Sequence, residues 1–358
     1  VTPEWADHDW PVANAHRRFL DQTELEAVLR AGGIEARLTD YQVLSGGTFN
    51  TVYRLGFADG PGLVLKLTPD PAGAAMTYER GILQTEGDFY RLAAERAELP
   101  VPAVIATHQL GAEHGGGQTL LVSELPGLPW SESAVPDADR DRLRDRLGEL
   151  VAALHQVTGP AFGYPSESTG PLTASWNEAF TAMIEAVLAD ALRYQVRLPV
   201  APDRIRRALA DCAAELDGVL VPTLVHFDLW NGNVLVDLAA EGGPRISGII
   251  DGERAMWGDP VVDLVSTALF GEIRDDESFI RGYRRSGAAW PLAAPGADAE
   301  AGAENGARRR LLLYRVYLGL IMTVEPVPRG DRPAAEFVER ISSRLTADLI
   351  ELEQLSRS

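Results

Sequence analysis

The first third of the chain alternates apolar with polar or turn residues in short runs, whereas the remainder carries apolar residues at helical spacing. Residues 21–33 (DQTELEAVLRAGG) predict a short helix that Gly32 and Gly33 terminate. YQVLSGGTFNTVYRLGF and GLVLKLTP then have the alternation of antiparallel strands. TEGDFYRLAAERAEL predicts a helix ended by Pro100, and VPAVIATHQL and QTLLVSEL predict two more strands. PGLPW follows as a Pro/Gly break and marks a lobe boundary near residue 126.

Beyond that break the pattern is mainly helical. DADRDRLRDRLGELVAALHQV places Leu143, Leu147, Leu150, Val151 and Leu154 on one face. SWNEAFTAMIEAVLADALRYQV and the stretch from Arg204 to Leu220 continue the helical period. NVLVD and RISGIID are short apolar runs of buried-strand length. Asp259 and Pro260 offer an N-cap and a first-turn proline opening DPVVDLVSTALF. The Ala/Gly-rich residues 286–307 predict a mobile surface loop, and two helices around RRRLLLYRVYLGLIMTV and AEFVERISSRLTADLIEL close the chain. The expected class is α+β, with a β-rich unit over residues 1–125, including an N-terminal extension, and a helical unit over 126–358.

At 358 residues the chain can bury a large core and divide into two lobes. Lys and Arg number 33 against 52 Asp and Glu, a formal charge of −19, which argues against nucleic acid as the main partner. The acidic excess suits a cationic small molecule, although a well-solvated surface explains it more simply. The single cysteine, Cys212, cannot form an internal disulfide and lies in a helical stretch that predicts a buried structural thiol. The first residues carry charges and Trp where a secretory signal needs an apolar run, and no run of about 18 apolar residues occurs. No membrane partner is therefore expected, and the cytoplasm is the expected compartment.

The polar residues with chemical promise sit beside the short apolar runs. VHFDLWNGNVLVD places His226, Asp228 and Asn233 in one short loop, and ISGIID delivers Asp251 at the end of an apolar stretch. A carboxylate in such a stretch is costly unless a cation or metal pairs with it. Two carboxylates and an amide carbonyl suit a hydrated divalent cation, and Mg²⁺ prefers a hard oxygen cage shared with phosphates. Lys66 lies inside GLVLKLTP, where it either snorkels outward or pairs with an acid. The adjacent Gly46 and Gly47 let backbone N–H groups approach a phosphate, although an ordinary hairpin uses the same residues. His155 falls on an apolar helical face as a core histidine, and no Cys/His cluster suggests zinc.

HFDLWNGNVL followed by IIDGERAMWGDPVVDL resembles the catalytic segment (H-x-D-x-x-x-x-N, then I-D) of the aminoglycoside phosphotransferase family. That family includes similar kinases for choline, homoserine and fructosamine, and it shares the two-lobed protein-kinase-like fold, a small antiparallel sheet lobe above a larger helical one. The resemblance implies that Asp228 orients the acceptor hydroxyl and takes its proton, while Asn233 and Asp251 bind the Mg²⁺ ions that bridge nucleotide phosphates. It gives His226 and Asp263 the support of the catalytic loop. In the first lobe it makes Lys66 the phosphate-binding lysine, paired with Glu86, with Glu79 as competitor. Ser45, Gly46, Gly47, Thr48 and Asn50 resemble the family's loose G-G-x-x-N turn. Ser123, Glu124 and Leu125 resemble the hinge that meets the purine through main-chain groups. Gly252 stands where many relatives carry an aromatic residue, which removes a packing anchor. The missing A-P-E-like element argues against a phosphorylated activation segment.

The expected function is ATP- or GTP-dependent, Mg²⁺-requiring transfer of a phosphoryl group to a hydroxyl of a small molecule. An aminoglycoside or other antibiotic leads among acceptors. The alternative is metabolic phosphorylation of an amino sugar, ketosamine or amino alcohol. A silent pseudokinase binding module is a third reading, opposed by the joint retention of Lys66, Asp228, Asn233 and Asp251. Glu253, Trp257, Trp230 and Asp259 are the acceptor candidates, with Trp176 and the acidic run from Asp275 to Glu277 behind them; the run reads equally as an exposed helix start. Carboxylates there suit a cationic or amino-sugar-like acceptor. A monomer or homodimer is expected.

Overall fold

Asp21 opens the ordered elements by accepting the Glu24 N–H at 2.9 Å, while the Glu24 side chain returns to the Asp21 N–H at 2.8 Å. This reciprocal cap starts α1 (Gln22–Ala31), and Gly32 ends it. The computed structural model describes residues 17–35, 37–44, 49–111, 116–292 and 301–357. Strands β1 (Leu38–Val43), β2 (Thr51–Phe57), β3 (Leu63–Leu67), β4 (Val104–Gln109) and β5 (Gln118–Ser123) form one antiparallel sheet in the order β1-β2-β3-β5-β4. Helix α2 (Ile82–Ala97) follows β3.

Strand alternation sorts the two faces of this sheet. Leu63, Leu65 and Leu67 of β3 pack with Leu25 and Leu29 of α1. Val64 points the other way, toward a core that includes Phe89 and Tyr90 of α2. Lys66 shares the parity of Val64 and reaches Glu86 of α2. The position of that lysine is therefore a consequence of period-two patterning.

The larger lobe begins with β6 (Leu128–Pro129) and continues through α3 (Asp137–Leu154), α4 (Trp176–Arg193), α5 (Pro202–Asp211) and α6 (Ala213–Asp217). Then come β7 (Thr223–Val225), β8 (Val234–Asp237), β9 (Arg245–Ile249) and β10 (Met256–Gly258), which pair as small antiparallel sheets β6-β8-β9 and β10-β7. Helices α7 (Val261–Thr267), α8 (Glu277–Arg285), α9 (Ala301–Val324), α10 (Pro326–Arg329) and α11 (Ala335–Leu355) complete the lobe. Helices α3 and α8 approach closely because Gly148 and Gly282 leave room. A Cβ on Gly282 would meet the Asp145 carbonyl oxygen at 1.8 Å, and one on Gly148 the Phe279 carbonyl oxygen at 2.2 Å. The whole is the expected α+β arrangement of a small antiparallel sheet and a larger helical lobe.

Four details differ from the sequence reading or complete it. Pro260, not Asp259, takes the N-cap position of α7, and Asp259 one residue further out accepts the Val261 N–H at 3.0 Å. Part of the Ala/Gly-rich stretch is helical, since α9 starts at Ala301, while residues 293–300 lie outside the described residues. The stretch Asn305–Arg329 is long and apolar enough to cross a membrane by composition, and 78% of its apolar window is buried inside the fold. Cys212 is buried, and burial pushes its thiol up to about 11, as befits a packing residue.

Candidate active site

Lys66 ties the two lobes together. Its Nζ donates to Glu86 Oε1 at 2.6 Å and also pairs with the Asp251 carboxylate. Tyr90 donates to the same Glu86 oxygen at 2.5 Å and accepts the Asp251 N–H at 3.0 Å. Glu79 goes elsewhere, to a buried pair with Arg329, so Glu86 is the acid that meets the lysine. Burial works against the ammonium, yet Asp251 and Glu86 hold its pKa well above the ordinary lysine value. Asp251, opposed by burial but held by Lys66, stays below the usual carboxylate value. Burial pushes Glu86 up despite Lys66.

Glu253 adds a third acid to this group. It accepts from Asn50 Nδ2 at 2.9 Å, and burial together with Asp251 pushes its pKa up to about 8. Oxygens of Glu86, Asp251 and Glu253 lie within 4.8 Å of one another, and Glu86 Oε2 has no hydrogen-bond partner. Negative charge exceeds what Lys66 neutralises.

Asp251 follows the end of β9 and takes a left-handed backbone, φ +61°. Such a conformation is strained for a residue with a Cβ and persists only where its surroundings impose it. Tyr90, which accepts the Asp251 N–H, and Lys66, which pairs with its carboxylate, hold it there. A Cβ on Gly252 would lie 2.2 Å from the Phe89 ring, so an aromatic side chain from α2 fills the space that a side chain at 252 would need. The packing anchor is supplied from α2, and Phe89 also meets His226 edge-on with ring centroids 5.1 Å apart.

The loop carrying Asp228 is fixed from below by Asp263 on α7. Its carboxylate accepts the N–H groups of His226 at 3.1 Å and Phe227 at 2.6 Å, and His155 Nε2 approaches at 3.1 Å. His155 is thereby a core histidine with both ring nitrogens engaged, the second by the Tyr283 hydroxyl at 2.9 Å. His226 Nδ1 accepts the Asp228 N–H at 3.2 Å, which leaves Nε2 to donate to the Ile250 carbonyl at 2.9 Å. One imidazole thus joins the Asp228 loop to the residue before Asp251. Phe227 is held at φ +60° with its ring stacked on Tyr317. Asn233 donates through Nδ2 to the Asp228 carbonyl at 2.7 Å, so its oxygen is the end left to bind a cation. Burial raises the pKa of Asp228, and Arg254 and His226 oppose that rise.

The remaining sequence candidates divide. Ser45, Gly46, Gly47 and Thr48 lie outside the described residues. The Ser123 and Glu124 N–H groups are already bonded to the carbonyls of Ala103 and Gly62, at 2.9 and 3.1 Å, and the Glu124 side chain pairs with Arg54. Leu125 follows them at the lobe junction and packs near Gly248. Trp257 is buried against Gly159, and Asp259 is buried with Tyr314 at 2.7 Å and Arg310 at 2.8 Å. Both belong to the core of the helical lobe, which corrects their reading as acceptor contacts; Trp176 is equally buried. Trp230 is 39% exposed beside the Asp228 loop. Asp276 caps α8 through the Phe279 N–H and pairs with Arg144, the helix-start role.

Sequence reasoning missed a buried charged group beside Asp228. Arg254 Nη1 lies 3.6 Å from Asp228 Oδ1, and its Nη2 lies 2.7 Å from Glu325, which also binds Arg329 and Tyr78. The available signal was the charged pair Glu253-Arg254 just before the apolar residues 255–257, together with Glu325 before the Pro326 break in an apolar helix.

The donor chemistry fits a magnesium ion. The Asp251 carboxylate and the Asn233 amide oxygen are hard ligands, and the acids around Lys66 lack a balancing cation.

The fold and these side chains define a protein-kinase-like scaffold. A protein from Thermobifida fusca assigned as a fructosamine-3-kinase is similar in structure, with a TM-score of 0.61 at 20% identity over 92% of this chain and 97% of that one. A thermostable mutant of an aminoglycoside phosphotransferase, solved with ADP and hygromycin B, has a TM-score of 0.58 at 20% identity over 91% and 97% of the two chains. The profile of the phosphotransferase enzyme family matches residues 40–297, and the chain belongs to that family. In sequence it is 30% identical over 184 residues to a probable ketoamine kinase of Synechocystis, covering 48% of this chain and 53% of the relative. The match thus spans about half the length of that curated relative.

Proposed function

We propose that the protein transfers the γ-phosphoryl group of ATP to a hydroxyl of a small amine-bearing sugar derivative. The observation that carries this reading is the convergence of Lys66, Glu86 and Asp251 with the Asp228–Asn233 loop, joined through His226. Phosphoryl transfer needs charge neutralisation and in-line positioning more than covalent chemistry, and these residues supply both. Lys66 binds the nucleotide phosphates while Glu86 holds its ammonium in place. Asp228 orients the acceptor hydroxyl and takes its proton. Asp251 and Asn233 hold magnesium, which when bound neutralises phosphate charge. The main chain of residues 123–125 borders the base, with the Leu125 amide left for it once those of Ser123 and Glu124 are spent. Residues 1–125 form the nucleotide lobe and 126–358 the acceptor lobe.

A ketosamine is the favoured acceptor. The sequence similarity to a probable ketoamine kinase supports it, as does the net charge of −19, which attracts a cationic substrate. Trp230 is the exposed candidate for stacking against a sugar face. A second reading, an antibiotic acceptor, draws support from the fold shared with the hygromycin B complex. A cytoplasmic location suits an ATP-using protein with one buried thiol.

A coupled ADP-release screen with ATP and GTP, run on ketosamines, amino sugars and aminoglycosides, tests both readings. ADP release with ketosamines is the expected result. Release with antibiotics alone moves the assignment to the second reading, and silence with every acceptor and with water overturns the kinase reading.

A further inference from the structure

Arg254 is 7% exposed, at the end of a single 3₁₀ turn, Gly252–Arg254, that the left-handed Asp251 directs into the protein. A guanidinium at that depth is costly unless its partners are well placed. One end is clamped. Nη2 lies 2.7 Å from Glu325, which sits where α9 gives way to α10, just before Pro326. Arg329 and the Tyr78 hydroxyl bind the same Glu325 oxygen, and Arg329 continues to Glu79. The Tyr78 ring lies 5.8 Å from the guanidinium carbon. Three donors on one carboxylate leave Glu325 little freedom, so Arg254 inherits a fixed position.

The other end faces Asp228 at 3.6 Å, beyond hydrogen-bond distance but well within strong charge attraction. Among the described residues no hydrogen bond reaches the Asp228 carboxylate. Its lone pairs are therefore open to a substrate proton, while something must still aim it. Of the other groups around it, the acids Asp251 and Glu325 repel it, and His226, which with Arg254 opposes the rise in its pKa, is tied up by its own two bonds to the Asp228 N–H and the Ile250 carbonyl. A direct Arg–carboxylate fork would occupy the oxygens needed for proton transfer; a cation one step back orients them and leaves them free.

We infer that Arg254, anchored by Glu325, is a positioning residue for phosphoryl transfer that aims the Asp228 carboxylate at the acceptor hydroxyl. The inference rests on the proposed kinase function. It makes the junction of α9 and α10, remote in sequence from both lobes' motifs, part of the apparatus that sets the turnover rate.

The experiment compares steady-state kinetics of the full chain with those of R254Q, R254K, R254A, E325Q and D228N, each first checked by thermal melting. R254Q is expected to lower kcat by about 10²-fold with KM for ATP changed less than about threefold, because a misaimed reacting group costs that much and the Lys66 site is untouched. R254K should fall between parent and R254Q. Added guanidinium ion at non-denaturing concentration should raise kcat of R254A and leave D228N silent. E325Q should lower kcat less than R254Q does, again without weakening ATP. If R254Q does not fold, R254K and E325Q decide. Parent-like kcat in the folded variants overturns the inference, and so does a kcat loss matched by weaker ATP binding with no rescue by guanidinium. D228N at parent turnover, or a parent silent with every acceptor and with water, overturns the kinase reading and the inference with it.

Discussion

Two charge clusters in this protein, one buried and one partly open to solvent, are built on opposite terms. Around Lys66, three carboxylates share one ammonium, and Glu253 rises to about 8 while Glu86 keeps one oxygen without a partner. Around Glu272, one carboxylate receives Arg315 and Arg344 at 2.7 Å and Arg308 at 3.1 Å. Burial would raise the Glu272 pKa, but the hydrogen bonds from Arg315 and Arg344 bring it down to about 2. The Glu272 cluster is complete in itself and joins the start of α8 to α9 and α11. The Lys66 cluster is short of positive charge, as a site must be if a metal–nucleotide complex is to complete it. Perturbed acids are thus found in both places; what marks the Lys66 cluster is that Glu86 and Glu253 are pushed up for want of a matching cation, while Asp251, like Glu272, is pulled down by the cation beside it.

The sharpest way to break this comparison is at Asp228. D228N should keep the parent melting temperature and lower turnover by ~10²–10⁴, the range for a positioned base. Unchanged turnover in the ADP-release assay would remove Asp228 from that role. Next, D251A should weaken Mg·ATP binding by about 10–100-fold, and K66A should weaken ATP in the same sense. Calorimetric titration checks both, and equal affinity in D251A and parent would place the cation elsewhere. E272Q should do the reverse, leaving kcat and Mg·ATP affinity alone while destabilising the fold by about 1–2 kcal/mol, a value discounted because a third of the side chain meets solvent. Differential scanning calorimetry reads that as a melting temperature lower by a few degrees.

The smallest effect is in acid. A carboxylate with a depressed folded-state pKa contributes stability above its ordinary value of 4.5 and loses it as pH falls toward about 2. The gap in melting temperature between parent and E272Q should therefore hold near neutral pH and close between those values. A gap of constant size down to the lower limit would show that Glu272 draws no stability from its ionised form.

How much of this was legible in advance depended on sequence distance. His226, Asp228 and Asn233 share one loop, and Asp251 ends the next strand, so a linear reading meets them together. Lys66 stands out as a cation in an apolar strand, and period-two alternation turns it toward α2. The sequence preferred Glu86 to Glu79 without closing the choice, because both acids occur in the segment after β3; the structure closes it by pairing Glu79 with Arg329 and Glu86 with Lys66. Asp259 looked like Asp251 in the sequence, an acid after an apolar run. What tells them apart is Arg310 and Tyr314, which arrive from α9 and have no local trace. The Arg254, Glu325, Arg329 and Glu79 cluster could not be assembled in advance for the same reason: single members stand out in the sequence, but only tertiary packing brings them together.

Helix α2 has a mechanical consequence. Glu86 and Phe89 lie about one turn apart on it, and Tyr90 follows. The first grips Lys66, the second wedges against the imidazole under the Asp228 loop, and the third holds the peptide of Asp251. A tilt of this single rod would loosen all three grips in one stroke. Any molecule that pries at its exposed side therefore has a lever on the entire reaction centre, without entering it.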